Sequence, residues 1–208
     1  MSTWTNKARL CALILGLAAC QMDTGGPSAP GQARALSVLG GAVTVAAPSG
    51  YCVDKGSARG QGDGTVVLIG RCNGQSQSPP AVISVTIGTA GSAGVIASGS
   101  AALAAFFQST AGRAALSRSG QAETVQILAA SETGGAFLLH VAEAGQGDYW
   151  RAVFGLSGRL VTLSVQGTAG AALDAASGRR LLGAAISTLQ KANKPAVTGN
   201  PVKAVTIG

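Results

Sequence analysis

The chain has 208 residues, 47% of them apolar, which is enough for one domain with a real core. Charged residues make up 11%, so the charge-rich, apolar-poor composition of disordered chains is excluded, and 31 glycines beside four Phe, two Tyr and two Trp imply a core of small side chains. The formal net charge is +7 without a clustered run of Lys or Arg, which excludes a dedicated nucleic-acid surface and leaves a generally basic one, open to anionic lipid or acidic glycan.

Lys7 and Arg9 precede an apolar run from Leu10 to Ala19. That run is too short to cross a bilayer core, which takes about 20 residues, and it reads as a secretory signal segment. Its end, Leu17-Ala18-Ala19-Cys20, resembles the lipobox of bacterial lipoprotein precursors. The resemblance implies that Cys20 is acylated, that the chain is cut before it, and that the acyl chains anchor the protein to a membrane. In that family an Asp after the cysteine signals inner-membrane retention. Gln21 stands there, which implies the outer membrane, facing the periplasm.

The part from Cys20 onward carries 13 Lys and Arg against eight Asp and Glu, a net charge of +5. Residues 21–34 are polar and rich in Gly, Pro and Ser, the composition of a flexible tether with a span of about 20 Å. Cys11 falls in the signal segment, so Cys52 and Cys72 are left as one pair in an oxidising compartment, and a structural disulfide is expected. A metal site would need further ligands, and His140 is the single histidine. A redox pair usually shows Cys-x-x-Cys, which is absent.

From Leu36 the apolar pattern begins. Strands are expected at Ala42–Ala46, at Tyr51–Val53 and at Thr65–Ile69, with a turn at Ala47–Gly50 and a polar, Gly-rich loop over Lys55–Gly64. A further β-branched strand covers Ala81–Ile87. Ser100 is placed to cap a helix through about Ser109 that buries Leu103, Phe106 and Phe107, and Thr110 to cap a short turn carrying Ala115 and Leu116 inward. Strands resume at Thr124–Leu128 and Ala136–Val141. Tyr149–Phe154 and Arg159–Val165 form a hairpin across Gly155–Gly158, with Val161, Leu163 and Val165 on a buried face and Thr162 and Ser164 on a wet one. A last helix runs from about Ala175 to Lys191, with Asp174 as its cap and Leu182, Ile186 and Leu189 at helical spacing. Asn193-Lys194-Pro195 stops it.

This order predicts an α+β domain, mainly an antiparallel sheet packed against two main helices. The boundaries read as 1–19 signal segment, 20–35 lipidated cysteine and tether, 36–193 domain and 194–208 tail. Val43–Tyr51, with its Pro48, Gly50 and Tyr51, is similar to the opening of PsbP/Mog-like sandwich domains. Tyr149–Val165 with the closing helix is similar to their final hairpin and helix. That resemblance implies a binding or assembly factor without shared catalytic residues.

No nucleophile elbow, zinc-protease motif, phosphate loop or paired-cysteine zinc motif occurs, and no cofactor is called for. Gly60-Gln61-Gly62-Asp63-Gly64 leads into a strand, not a helix, so it reads as a tight turn and not a dinucleotide fingerprint. Asp54 and Asp63 are too far apart in sequence for a calcium loop. Arg113, Arg118, Arg151, Arg179 and Arg180 form a candidate anion-binding patch, provided that both helices cover one face. Tyr149 and Trp150 point to opposite faces of their strand.

The sequence thus favours a non-enzymatic envelope lipoprotein that binds or scaffolds another envelope protein or an anionic glycan or lipid. The alternatives are an envelope hydrolase or transferase using His140 with Glu143 or Asp148, and an accessory subunit of an envelope transport system.

Overall fold

A computed structural model describes residues 30–73 and 77–195. The expected signal segment, Cys20, the tether as far as residue 29 and the tail from residue 196 lie outside the described residues.

Alternating apolar residues build an antiparallel sheet of eight strands. In chain order these are β1 (Gln32–Ala33), β4 (Tyr51–Gln61), β5 (Gly64–Arg71), β6 (Ala81–Ile87), β7 (Val125–Thr133), β8 (Ala136–Glu143), β9 (Gly147–Leu156) and β10 (Arg159–Gly167). Their spatial order is β1-β4-β5-β6-β10-β9-β8-β7. β2 (Ala35–Val38) and β3 (Val43–Ala46) pair separately. Three α-helices complete the described fold: α1 (Gly99–Gln108), α2 (Thr110–Leu116) and α3 (Ala175–Ala192).

Period-2 alternation divides the apolar residues between two cores. Ile83, Val85, Ala152, Phe154, Leu163 and Val165 face α3 and the β2–β3 pair, where Leu182, Ile186 and Leu189 close over them. The intervening residues Phe137, Leu139, Val141, Tyr149 and Val153 face the α1–α2 hairpin, whose Phe107 and Leu116 pack on them. The helices therefore lie on opposite faces of the sheet. The α1–α2 hairpin covers the β7-to-β10 side of its face, and Val66 and Leu68 of β5 are 38% and 39% exposed.

Several local expectations change. The composition predicts a loop over Lys55–Gly64. Instead β4 runs on to Gln61, crossing a register shift between Asp54 and Arg59, and the turn is reduced to Gly62-Asp63. The ordered fold also starts before residue 36, because Gln32 and Ala33 pair with Asp54 and Val53, and Arg34 donates to the carbonyls of Tyr51 and Ala47. The final hairpin turns at Ser157-Gly158, both with positive φ (50° and 72°), the two-residue geometry that suits strand twist. Helix α1 starts at Gly99 without a side-chain cap, while Ser109, not Thr110, caps α2 by accepting from the Gly112 N–H.

Cys52 and Cys72 are joined, with Cα atoms 5.0 Å apart. The bridge closes the open end of the β4–β5 hairpin, where Cys72 N–H also donates to the Gly50 carbonyl.

Candidate functional site

Between the α1–α2 hairpin and the sheet lies a cleft of about 460 Å³, within the roughly 300–1,000 Å³ range of small-molecule sites. Its walls come from α1 and the segment before it (Val95, Leu103, Phe106, Phe107), and its floor from β9 and β10 (Val153, Leu160, Thr162). The helix expectation of a buried Phe106 fails. Phe106 is 45% exposed and Val95 55%, so two large apolar side chains stand at the mouth of the cleft. Ala115, expected inward on α2, likewise lines the cleft from an exposed position.

Arg151 is the cation in this apolar setting. Alternation along β9 puts it on the same face as Val153, and its cross-strand neighbour Ser164 accepts from its Nε at 2.9 Å. Its guanidinium lies over the Tyr149 ring, 5.3 Å from the centroid, while the Tyr149 hydroxyl is held by the Leu116 carbonyl. Neither terminal amino group of Arg151 donates to another described residue, and no carboxylate forms an ion pair with it among the described residues. Burial lowers its pKa from the ordinary arginine value, with Arg118 acting in the same direction and Tyr149 and Glu143 opposing. An arginine remains charged under such a shift. Thr162 and Ser164, expected on a wet face, are half-buried, Thr162 lining the cleft and Ser164 holding Arg151 beside it.

The five arginines do not form one patch. Arg113 is turned back to the Gln108 carbonyl, and Arg118 donates to Gln166 at 2.7 Å beside the end of α2, so these two share the Arg151 side of the sheet. Arg179 and Arg180 are on α3, across the sheet. Arg179 covers the Trp150 ring at 5.7 Å, and Arg180 donates to Ser177. The condition that both helices cover one face is not met.

His140 also sits on the α3 face. Its ring stacks on Trp150 at 4.6 Å with an interplanar angle of 6°, and Trp150 Nε1 donates to the Ala175 carbonyl. Nε2 is 3.6 Å from an Asp148 oxygen and has no hydrogen-bond partner among the described residues, so no serine is engaged. Glu143 is on the other face, where one oxygen accepts from the Arg118 N–H and the Ser117 hydroxyl. His140 and Glu143 therefore cannot act as a pair. Trp150 is buried and offers no exposed aromatic beside Arg151.

The Phe106–Phe107 pair and Leu160 on the otherwise polar face of β10 are the sequence signals of the cleft, and neither is legible without knowing which helix lies over which face. Asp63, weighed as part of a nucleotide or calcium loop, is instead bound to Arg159 at 2.9 Å. In comparisons with known proteins, no family model, no curated protein and no solved structure matches this chain.

Proposed function

We propose that the chain is a lipid-anchored protein of the bacterial envelope, held through Cys20 at the outer membrane, whose α+β domain is a non-catalytic binding module for an anionic ligand. The observation that carries the binding reading is Arg151. A half-buried guanidinium without a carboxylate ion pair, at the floor of an apolar cleft, favours an incoming anion, because its fork can hold two oxygens at once. The address rests on the lipobox resemblance. The resemblance of Val43–Tyr51 and Tyr149–Val165 to PsbP/Mog-like domains, with a signal segment and two main helices, belongs to the same proposal and likewise implies binding over catalysis.

The test has two arms. Labelling with an alkyne fatty acid should mark the native chain, and Cys20→Ala should lose both the label and membrane retention; persistent acylation would refute the anchor. In the isotopically labelled full chain, carboxylate and phosphate ligands should shift resonances around Arg151, Ser164 and Leu103. Turnover of an activated ester that is abolished by His140→Ala would instead establish the hydrolase alternative.

A further inference from the structure

We infer that the ligand of this cleft is a long-chain fatty acid anion, its carboxylate on Arg151 and its chain along the wall formed by Leu103, Phe106 and Phe107. The inference rests on the binding reading above and narrows it to one class of molecule. A small hydrophilic anion would meet Arg151 but would leave the apolar walls without function. An uncharged apolar molecule would fill the walls and leave the two free amino groups of Arg151 facing them.

Only a molecule with an anionic end and a long apolar remainder satisfies both. The exposure of the site agrees. Phe106 and Val95 put exposed apolar surface at the mouth, where the end of a chain longer than the cleft would emerge. The polar neighbours are placed for a head group and not for chemistry. Ser164 already accepts from Arg151 Nε, which fixes the plane of the guanidinium, and the Tyr149 ring supports it from one side. Both leave the terminal amino groups to the ligand. A single fatty carboxylate matches this arrangement of one half-buried cation and one apolar wall.

The full chain in phosphatidylcholine nanodiscs is photolabelled with hexadecanoic acid bearing a diazirine, and the adducts are mapped by mass spectrometry. Adducts should fall on residues 95–107 and 151–162. Excess hexadecanoate should compete, and hexadecanol should compete about 10- to 100-fold less well, the range expected for loss of a charge-assisted hydrogen bond. Arg151→Gln should weaken labelling by a similar factor, and Phe106→Ser, at an exposed position, should weaken it while the fold persists. Should Arg151→Gln not fold, the hexadecanol comparison decides the same question on the native chain. Acetate or phosphate competing as well as hexadecanoate would overturn the fatty acid and leave the anion site standing. Hexadecanol competing as well as hexadecanoate would overturn both readings, and adducts outside the cleft would overturn the fatty acid assignment.

Discussion

Arg159 and Asp63, 96 residues apart, bind the tips of two hairpins together. Arg159 Nη2 meets the Asp63 carboxylate at 2.9 Å, and Nη1 donates to the carbonyls of Asp63 and Gly88. Ala90 N–H donates to the other carboxylate oxygen. The turn of β4–β5, the end of β6 and the start of β10 thereby share one junction. The Gly-rich stretch around Asp63 is explained structurally by this junction, with Gly62 supplying the positive φ (58°) of the turn.

This junction predicts an acid sensitivity. The hydrogen bond from Arg159, followed by that from Ala90, holds the Asp63 pKa below the ordinary aspartate value. A carboxylate with a depressed folded-state pKa contributes stability that is complete above its unfolded pKa and is lost as pH falls through the folded one. Melting temperature should therefore decline from about pH 4 downward. Asp63→Asn should flatten part of that decline while lowering stability at neutral pH. An unchanged acid slope in Asp63→Asn would assign the effect to another group, with Asp174 the next to test, since its hydrogen bonds with Ser177 also depress its pKa.

The Cys52–Cys72 bridge predicts a second effect. It closes a sequence separation of 20 residues, for which chain entropy gives about 3 kcal/mol of stabilisation. Cys52→Ser/Cys72→Ser should lower the urea midpoint accordingly, and reductant should do the same to the native chain. Free thiols at both positions in exported protein, read by non-reducing mass spectrometry, would contradict the bridge.

Gly112 controls the cleft from a distance. A Cβ there would lie 2.0 Å from the Phe106 carbonyl oxygen and 2.6 Å from the Phe107 Cα, both backbone atoms that cannot step aside. Gly112→Ala should therefore push α2 away from α1 and move Phe106 and Phe107, at a cost of about 1–3 kcal/mol. Hydrogen exchange should rise across 99–116 and stay slow in β6, β9 and β10. Uniform loss of protection would mean that the hairpin and the sheet unfold as one unit.

Much of the sheet is legible in the sequence because burial on one face forces alternation. In β6, Ala81, Ile83, Val85 and Ile87 are all buried, as their spacing requires. The second half of β4 is not legible, since Lys55, Gly56, Ser57 and Gly60 lack that alternation and the strand is held by pairing with β5 across a register shift. The cleft is less legible still. Arg151 stands out as an arginine between buried residues, but whether it meets Arg179 depends on which face each helix covers, a non-local outcome. Phe106 and Phe107 both read as core on a helix of this period. In the fold Phe107 stacks on Phe137 of the sheet, whereas Phe106 is 45% exposed.

The end of α3 predicts a last effect. The Asn193 side chain accepts from the Thr44 N–H at 2.8 Å and donates to the Thr44 carbonyl at 2.7 Å and the Leu189 carbonyl at 2.8 Å. It thus serves β3 as a neighbouring strand would and fastens the helix end to the β2–β3 pair, 149 residues away in sequence. Asn193→Ala leaves all three backbone groups half-buried without this partner and should cost about 1–3 kcal/mol. Asn193→Asp separates the two halves of the contact. It keeps the acceptor for Thr44 N–H, loses the donor to both carbonyls, and adds negative charge at the negative end of the helix dipole. Asp should therefore destabilise at least as much as Ala at neutral pH, with the urea slope unchanged in both. An Asp variant as stable as the native chain would show that the Thr44 N–H bond alone secures α3.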